Sequence, residues 1–203
     1  MAFISQEDLS KMGFKFIGDN VKISDKCSIY NAANIEIGDN TRIDDFCILS
    51  AGEGGIKIGR YVHIACFCSL LGRETIELKD FSGLSSRVAV YSSNDDYSGN
   101  AMTNPCVPEE FTNVKNGKVM VEKHVIVGVG STILPNVTVG FGAAIGAYSL
   151  VTKNVAEKII AIGVPAKFIM KRKEGFMQKE AELNNWLASK SEINGEHTKA
   201  EQE

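Results

Sequence analysis

A polar segment of the chain, residues 93–118, places two adjacent carboxylates where chemistry could occur. Asp95 and Asp96 lie in the run SNDDYSGN, and the segment contains no histidine. Long segments without regular structure are usually functional in compact domains. The pair could orient a basic group of a substrate, but DDYSG is also a good turn sequence, because Asp can hydrogen-bond its own backbone. No further ligands stand at a spacing that predicts a metal site.

The histidines are the other candidates for proton transfer, because imidazole titrates close to neutral pH. His63 and His124 lie within the patterned part of the chain, and both positions predict outward-facing side chains. His197 lies in the polar C-terminal segment and is set aside. Either of the first two could act as a base or contact a ligand; otherwise they are interface or solvated residues.

Apolar side chains recur at every sixth residue, and this period predicts the fold that positions these groups. The period fits neither an α-helix nor a flat strand. Hexapeptide repeats indicate a parallel β-helix, whose stacked coils bury aliphatic columns. The predicted fold is therefore all-β. The clearest hexads open at Val121, Val127, Ile133, Val139, Ile145 and Val151, and the same phase extends back to Ile17.

Four segments interrupt or flank the repeats. Residues 1–15 predict a short helix, capped by Ser5 and Asp8, that covers the open edge of the first coil. The β-helix is expected over 16–167, with an external loop at 93–118. Residues 168–190 predict a C-terminal helix interrupted near Gly175. The polar run 191–203 predicts a disordered tail.

Composition excludes several classes of protein. The net charge of −3 gives no reason to expect nucleic acid, and no apolar run reaches membrane-spanning length. The five cysteines are an odd number without metal-type pairing. Cys27, Cys47 and Cys68 occupy fifth places of hexads, where a small buried side chain is needed. We therefore expect free thiols in a reducing cytoplasm.

The repeats, the external loop before VEKHVIVGVGSTILPNVTVG and the closing IGVPAK resemble the hexapeptide-repeat acyltransferases over roughly residues 16–170. This resemblance implies a left-handed β-helix, although generic crossover rules favour the opposite hand. It also implies a homotrimer with clefts between subunits and an acyl-CoA cosubstrate, with no bound cofactor.

Four stretches, RIDDFCILS, DFSGLSSR, DDYSGNAMTNP and GKVMVEKHVIVG, resemble those members that acylate nucleotide-linked amino sugars. The resemblance implies that Ser85 and Asp95 approach the sugar amine and that the N-terminal coils hold the nucleotide, a thymidine diphosphate. His124 is added as a third catalytic candidate. The candidates for substrate binding are Asp96, Asn31, Arg42 and His63. Arg42 could equally form a surface ion pair with neighbouring aspartates.

In the same family the CoA arm lies along the C-terminal coils between two subunits. Small outward residues there would let it approach, namely Gly128, Gly130, Gly146 and Ala147. A backbone N–H near Gly128–Gly130 could serve as an oxyanion donor. Lys153, Lys167 and Lys171 could meet the CoA phosphates. Tight turns and solvated surface charge explain the same residues without a ligand.

The missing loop histidine favours transfer to nitrogen. General-base help is worth ~10²–10⁴-fold, and a neutral amine needs it less than a hydroxyl does. The function predicted is acyl transfer, from acetyl-CoA or another acyl-CoA, to a nucleotide-linked amino sugar for O-antigen or capsule assembly. One alternative is a saccharide O-acetyltransferase that uses His124 or His63 as base. A carbonic-anhydrase-like β-helix would need three zinc-binding histidines, and the patterned region has two.

Overall fold

The computed structural model describes the backbone of residues 2–200 and the side chains of residues 2–190. It contains helices α1 (Gln6–Lys11) and α2 (Gly175–Ala200). The strands are β1 (Phe16–Ile17), β2 (Lys22–Ile23), β3 (Ser28–Tyr30), β4 (Ile35–Ile37), β5 (Arg42–Ile43), β6 (Ile48–Ala51), β7 (Ile56–Ile58), β8 (His63–Ile64), β9 (Ser69–Gly72), β10 (Ile76–Leu78), β11 (Gly83–Leu84), β12 (Ala89–Tyr91), β13 (Ser93–Asn94), β14 (Lys115–Asn116), β15 (Val119–Val121), β16 (Ile126–Val127), β17 (Thr132–Ile133), β18 (Thr138–Val139), β19 (Ala144–Ile145), β20 (Leu150–Val151), β21 (Ile159–Ile162) and β22 (Lys167–Lys171).

The strands form three parallel sheets that the chain visits in rotation. Sheet 1 is β1-β4-β7-β10-β15-β18, sheet 2 is β2-β5-β8-β11-β16-β19-β21, and sheet 3 is β3-β6-β9-β12-β17-β20. One pass through the three sheets is a coil. The fourth coil contains β10, β11 and β12, followed by the external loop with the antiparallel pair β13–β14. The predicted parallel β-helix is confirmed.

The hexad positions form the core as the period predicts. Each opening residue points inward and stacks on its equivalent one coil away; Leu84, for example, lies between Ile64 and Val127. Side chains alternate across a strand, so the residue before each opening residue points outward. The openers of the last hexads are buried, at 0–2% exposure: Val121, Val127, Ile133, Val139, Ile145 and Val151.

The chain turns at three corners, which we number by the sheets they join: first (sheets 1 and 2), second (2 and 3) and third (3 and 1). The second corner contains a column of thiols. The Sγ atoms of Cys27, Cys47 and Cys68 each donate to a carbonyl of the following coil at 3.1 Å. All five cysteines are free, as the sequence predicts.

The N-terminal helix closes the first coil. Ser5 Oγ accepts a hydrogen bond from the Asp8 amide at 3.1 Å, so the predicted cap is formed. Leu9 on α1 is buried against the core, and the Ile4 amide donates to the Ile23 carbonyl at 2.9 Å. The end of the prism is thereby covered, as expected.

The prediction of a helix over 168–190 is wrong for residues 168–174. Lys167–Lys171 is strand β22, which pairs antiparallel with β21 and so satisfies the exposed edge of sheet 2. The helix begins at Gly175, where the sequence predicts only an interruption. Residues 1–172 and 173–203 are separate units. The backbone of α2 continues to Ala200 and so runs through most of 191–203, for which the sequence predicts a disordered tail; residues 201–203 lie outside the described residues.

Within residues 2–200, helices long and apolar enough to cross a membrane are absent.

Candidate functional site

Ser85 opens the second corner of the fourth coil, directly after β11. Its amide donates to the Val127 carbonyl at 2.9 Å, and its carbonyl accepts from Cys68 Sγ at 3.1 Å. The backbone is thus fixed from the coils on both sides. The Ser85 hydroxyl makes no hydrogen bond within residues 2–190, so it can bond a ligand.

A hollow of about 290 Å³ lies beside Ser85 on the outer face of sheet 2. His63 borders the hollow from the preceding coil, since His63 and Gly83 are neighbours in register. Ile126 borders it from the following coil. Its remaining walls are Ala65, Leu84 and Ser86.

His63 is held by a carboxylate. Its Nε2 lies 2.9 Å from Asp44 Oδ2, while Arg42 Nε donates to Asp44 Oδ1 at 2.6 Å. Burial alone would raise the pKa of Asp44, but the hydrogen bonds from His63 and Arg42 hold it below its ordinary value. An ionised carboxylate only accepts hydrogen bonds, so Nε2 is the protonated nitrogen of His63. Arg42 thus forms the ion pair that was one of its two predicted roles, and its role in substrate binding stays a prediction.

Asp95 lies in the external loop, immediately after β13, at a second hollow. This hollow has a volume of about 620 Å³, and its walls include Arg73, Tyr91 and Glu109. Arg73 forms an ion pair with Glu109. Asp95 has no ion pair or hydrogen bond within residues 2–190. A carboxylate without a cation at an open hollow is suited to hold an ammonium group.

Asp96 is a turn residue whose carboxylate is hydrogen-bonded within the loop, and substrate binding by Asp96 stays a prediction. Its carboxylate accepts hydrogen bonds from Ser98 N and Oγ and from the amides of Asn100 and Ala101, at 2.9–3.2 Å. The residue is 4% exposed. These hydrogen bonds hold the pKa of Asp96 below its ordinary value, and the hydrogen bonds from Ser98 have the largest effect. The carboxylate is therefore used to shape the loop.

Ser85 and Asp95 belong to the same coil but stand at different corners. Ser85 precedes β12 at the second corner, and Asp95 follows it beyond the third corner. The whole of sheet 3 lies between those corners. The two predicted catalytic residues therefore face separate hollows within one chain.

The sequence predicts that His124 faces outward, and the structure shows that it does not. It sits at the first corner with a left-handed φ of +61° and is only 9% exposed. Its ring stacks on Phe81 and meets Phe141 edge-on. Because the backbone at the fourth hexad place is left-handed, the His124 side chain lies along the corner and does not project away from it. His124 therefore lies at the corner between sheets 1 and 2, which sheet 3 does not border.

Asn31 has a structural role at a corner, and substrate binding by Asn31 stays a prediction. It has a left-handed φ of +57° at the third corner of the first coil. Its Nδ2 donates to the Ala51 carbonyl at 2.7 Å, and so supports the next coil. Asn is among the residues that tolerate this backbone conformation best. The position thus serves the corner rather than the hollow beside Ser85.

The small residues predicted to contact CoA have clear packing roles. A Cβ on Gly128 would lie 2.6 Å from the Ala147 amide, and one on Gly146 would lie 2.7 Å from Ile162 side-chain atoms. Gly130 has a φ of +69° and lies under the Tyr148 ring. Close stacking of coils thus explains these glycines, and CoA contact by them stays a prediction.

The predicted basic cluster is divided. Lys167 and Lys171 are exposed at the two ends of β22 on sheet 2. Lys153 is exposed at the third corner, which does not border sheet 2. Nearby Arg172 is used internally: its Nη1 donates to the carbonyls of His124, Gly142 and Ala143. Sequence spacing alone does not show which corner a lysine occupies.

Of the residues that line the Ser85 hollow, the sequence predicts only His63 and Ser85 as site residues. Gly83 and the other lining residues are found only from the structure, as is the contact of His63 with Asp44. Gly83 has a signal in the sequence, since it is a glycine at a sixth hexad place where equivalent positions have side chains. Groups of three or more His, Cys, Asp or Glu side chains suited to a metal do not occur in the described part of the chain.

Comparison with known proteins gives a consistent result. No protein-family model matches the chain. The chain is 50% identical to the dTDP-4-amino-4,6-dideoxy-D-glucose acyltransferase of Escherichia coli, over 89% of this chain and 94% of that protein. It is 29% identical to a putative lipopolysaccharide biosynthesis O-acetyl transferase of Escherichia coli K12, WbbJ, over 71% and 76% of the two chains.

Among solved structures, the chain resembles AntD, an N-acyltransferase from Bacillus cereus. The AntD complex with dTDP and 3-hydroxybutyryl-CoA superposes with a TM-score of 0.86 at 47% identity, covering 92% of this chain and 98% of that one. A variant of AntD in complex with dTDP-4-amino-4,6-dideoxyglucose and coenzyme A gives a TM-score of 0.87 at 48% identity, covering 90% and 97%.

Proposed function

The chain belongs to the hexapeptide-repeat N-acyltransferases of nucleotide-linked amino sugars, with their left-handed β-helix, and we propose that it acylates the amine of dTDP-4-amino-4,6-dideoxyglucose or a close analogue. The observation that carries this proposal is the 50% identity along nearly the whole chain to an acyltransferase for that sugar. The cosubstrate is an acyl-CoA. The nucleotide and sugar follow from what the relatives act on or bind.

Direct attack by the amine fits the groups at the two hollows. The neutral nitrogen attacks the thioester carbonyl, the C–N bond forms, and the C–S bond breaks as the thiolate leaves. The nitrogen becomes cationic during attack, and Asp95 would stabilise that charge. The proton lost from nitrogen ends on the CoA sulfur or in solvent. Ser85 would hydrogen-bond the acceptor and fix its orientation.

Solved variants of AntD carry single substitutions at one serine or at one aspartate. Ser85 and Asp95 are the same residue types, and neither side chain has a hydrogen-bond or ion-pair partner within residues 2–190. Because they face separate hollows, the proposed site requires two copies, with Ser85 from one and Asp95 from its neighbour. A homotrimer with such clefts is the assembly we propose, in the cytoplasm where nucleotide sugars and CoA are available.

The CoA arm is proposed to lie along the C-terminal coils beside Gly128, Gly130, Gly146 and Ala147, with Lys167 and Lys171 near its phosphates. The donor proposed from the sequence is acetyl-CoA. Because AntD binds 3-hydroxybutyryl-CoA, a donor with a longer acyl group is the alternative. A role in O-antigen or capsule assembly draws support from the similarity to WbbJ.

A second candidate function is O-acetylation of a saccharide. One observation favours it: the Asp44-oriented imidazole of His63 borders the hollow with Ser85, which is an arrangement suited to a general base. A hydroxyl acceptor would need such a base.

The test is release of CoA thiol with acetyl-CoA or 3-hydroxybutyryl-CoA against paired acceptors. The acceptors are dTDP- and UDP-linked 3-amino and 4-amino deoxysugars and their hydroxyl twins. We expect turnover with the dTDP-linked 4-amino sugar and none with its hydroxyl twin. Turnover of hydroxyl acceptors, lost in His63→Gln, would establish the second candidate instead.

A further inference from the structure

The outward column of sheet 2 has a gap at Gly83. Neighbouring strands align His63 with Gly83 and Gly83 with Ile126. Each of these residues precedes an inward hexad residue, so each would point a side chain outward. Gly83 has none, and the hollow beside Ser85 lies at that gap. The hollow is therefore made by an absent side chain.

Neither the backbone nor internal packing requires glycine at this place. Gly83 is not among the residues with positive φ. A Cβ built on it would meet only the His63 carbonyl oxygen, at an ordinary 3.8 Å. The contrast is Gly59 at the first corner, whose Cβ would lie 2.7 Å from the Asp80 amide. Glycine weakens a strand and often marks a place where a ligand or another backbone comes close.

The lining of the hollow has two kinds of surface. Ser85 and Ser86 contribute hydroxyl-bearing side chains, and Ile126 and Ala65 contribute alkyl groups. An amino-deoxysugar has the matching character, with C–H groups and a methyl on its faces and hydroxyl or amine groups at its edge. A bare Cα at the floor lets such a ring approach until its edge reaches Ser85.

We propose that Gly83 is a specificity-determining residue that seats the sugar ring of the acceptor. The inference rests on the proposed function and adds to it a residue, a contact and a size limit. A side chain at position 83 would occupy the space of the ring and leave the remainder of the nucleotide sugar unaffected.

Calorimetric titration with two ligands tests this directly, using dTDP and dTDP-4-amino-4,6-dideoxyglucose. The variants are Gly83→Ala and Gly83→Val, and Ala89→Val is the matched control, since it adds bulk at an outward position of β12 in the same coil. We expect Gly83→Val to weaken binding of the sugar nucleotide by at least about tenfold, as unfavourable bulk in a fitted pocket does. Binding of dTDP, the mass of the assembly and the Tm should stay at the parent values.

Each other outcome overturns the inference. Equal weakening of dTDP binding would indicate that the nucleotide binds in the hollow. Unchanged binding of both ligands would indicate that neither binds there. A fall in assembly mass would show that the gap receives another copy of the chain. The proposed function is tested separately, by turnover of the parent chain, and it is wrong if the parent acylates no amino sugar. If the parent acylates the amino sugar but the Gly83 variants bind both ligands as the parent does, only the proposed role of Gly83 is wrong.

Discussion

The imidazole of His124 lies almost parallel to the ring of Phe81, with 5.2 Å between the two centroids. Tyr61 stacks on the other side of Phe81 at 5.0 Å, and Phe141 closes the column edge-on. The column follows the first corner from coil to coil. His124 is thus one ring of a structural stack.

Replacing His124 by Phe should therefore preserve activity. Phe81 adopts the same left-handed backbone at the equivalent place, with a φ of +58°, so the corner accepts that residue. His124→Ala should lower the free energy of unfolding by about 0.5–1.5 kcal/mol through loss of the aromatic contact. Thermal unfolding and kcat/KM of both variants check this. A loss of ~10²-fold or more in His124→Phe would instead identify a base.

Asp95→Asn should lower kcat/KM by about 10–100-fold, because a charge-assisted hydrogen bond to the reacting nitrogen contributes about 1.5–3 kcal/mol. Steady-state kinetics with the amino-sugar acceptor measure the loss. Glu110→Gln is the matched control, since Glu110 is an exposed carboxylate of the same loop, and it should keep parental kinetics. Parental kinetics in Asp95→Asn would contradict the proposed role.

The loop should lose its order in acid through Asp96. The pKa of Asp96 is lowered by its hydrogen bonds in the fold, so its contribution to stability is complete above the ordinary Asp pKa of about 3.9. That contribution is lost as the pH falls through the lower folded-state pKa. Amide NMR shifts of Ser98, Asn100 and Ala101 should titrate together with a midpoint below about 3.9. The titration should be absent in Asp96→Asn, and a midpoint above the ordinary value would refute this account.

Arg172→Met should destabilise the C-terminal coils. The guanidinium donates to three carbonyls at 2.8–3.1 Å. Arg172 is partly buried, and this burial lowers its pKa. Loss of charged hydrogen bonds of this kind lowers the free energy of unfolding by about 1.5–3 kcal/mol. The measurement is the urea unfolding midpoint of Arg172→Met, with Lys173→Met as the control. Lys173 is an exposed neighbour, so its variant should have the midpoint of the parent chain. Equal midpoints would show that the carbonyls find other donors.

The repeat period predicts the prism well, because the side chain at each hexad opening has only one place to go. Sequence reasoning fails where neighbours across coils decide the outcome. His124 looks exposed by its hexad place, but the rings above and below it on the first corner bury it. Asp44 contacts His63 only because the register of neighbouring coils places His63 beside Arg42. The strand at Lys167–Lys171 forms because β21 offers an unpaired edge, which no local pattern records.

Gly83, Ser85 and Asp95 all come from the fourth coil and its loop. Coils of a repeat fold contact chiefly their immediate neighbours, so the groups proposed to act on the acceptor belong to one module. Transplanting this single module into a related prism should therefore transfer acceptor choice, which makes the fourth coil the natural unit for recombination among these enzymes.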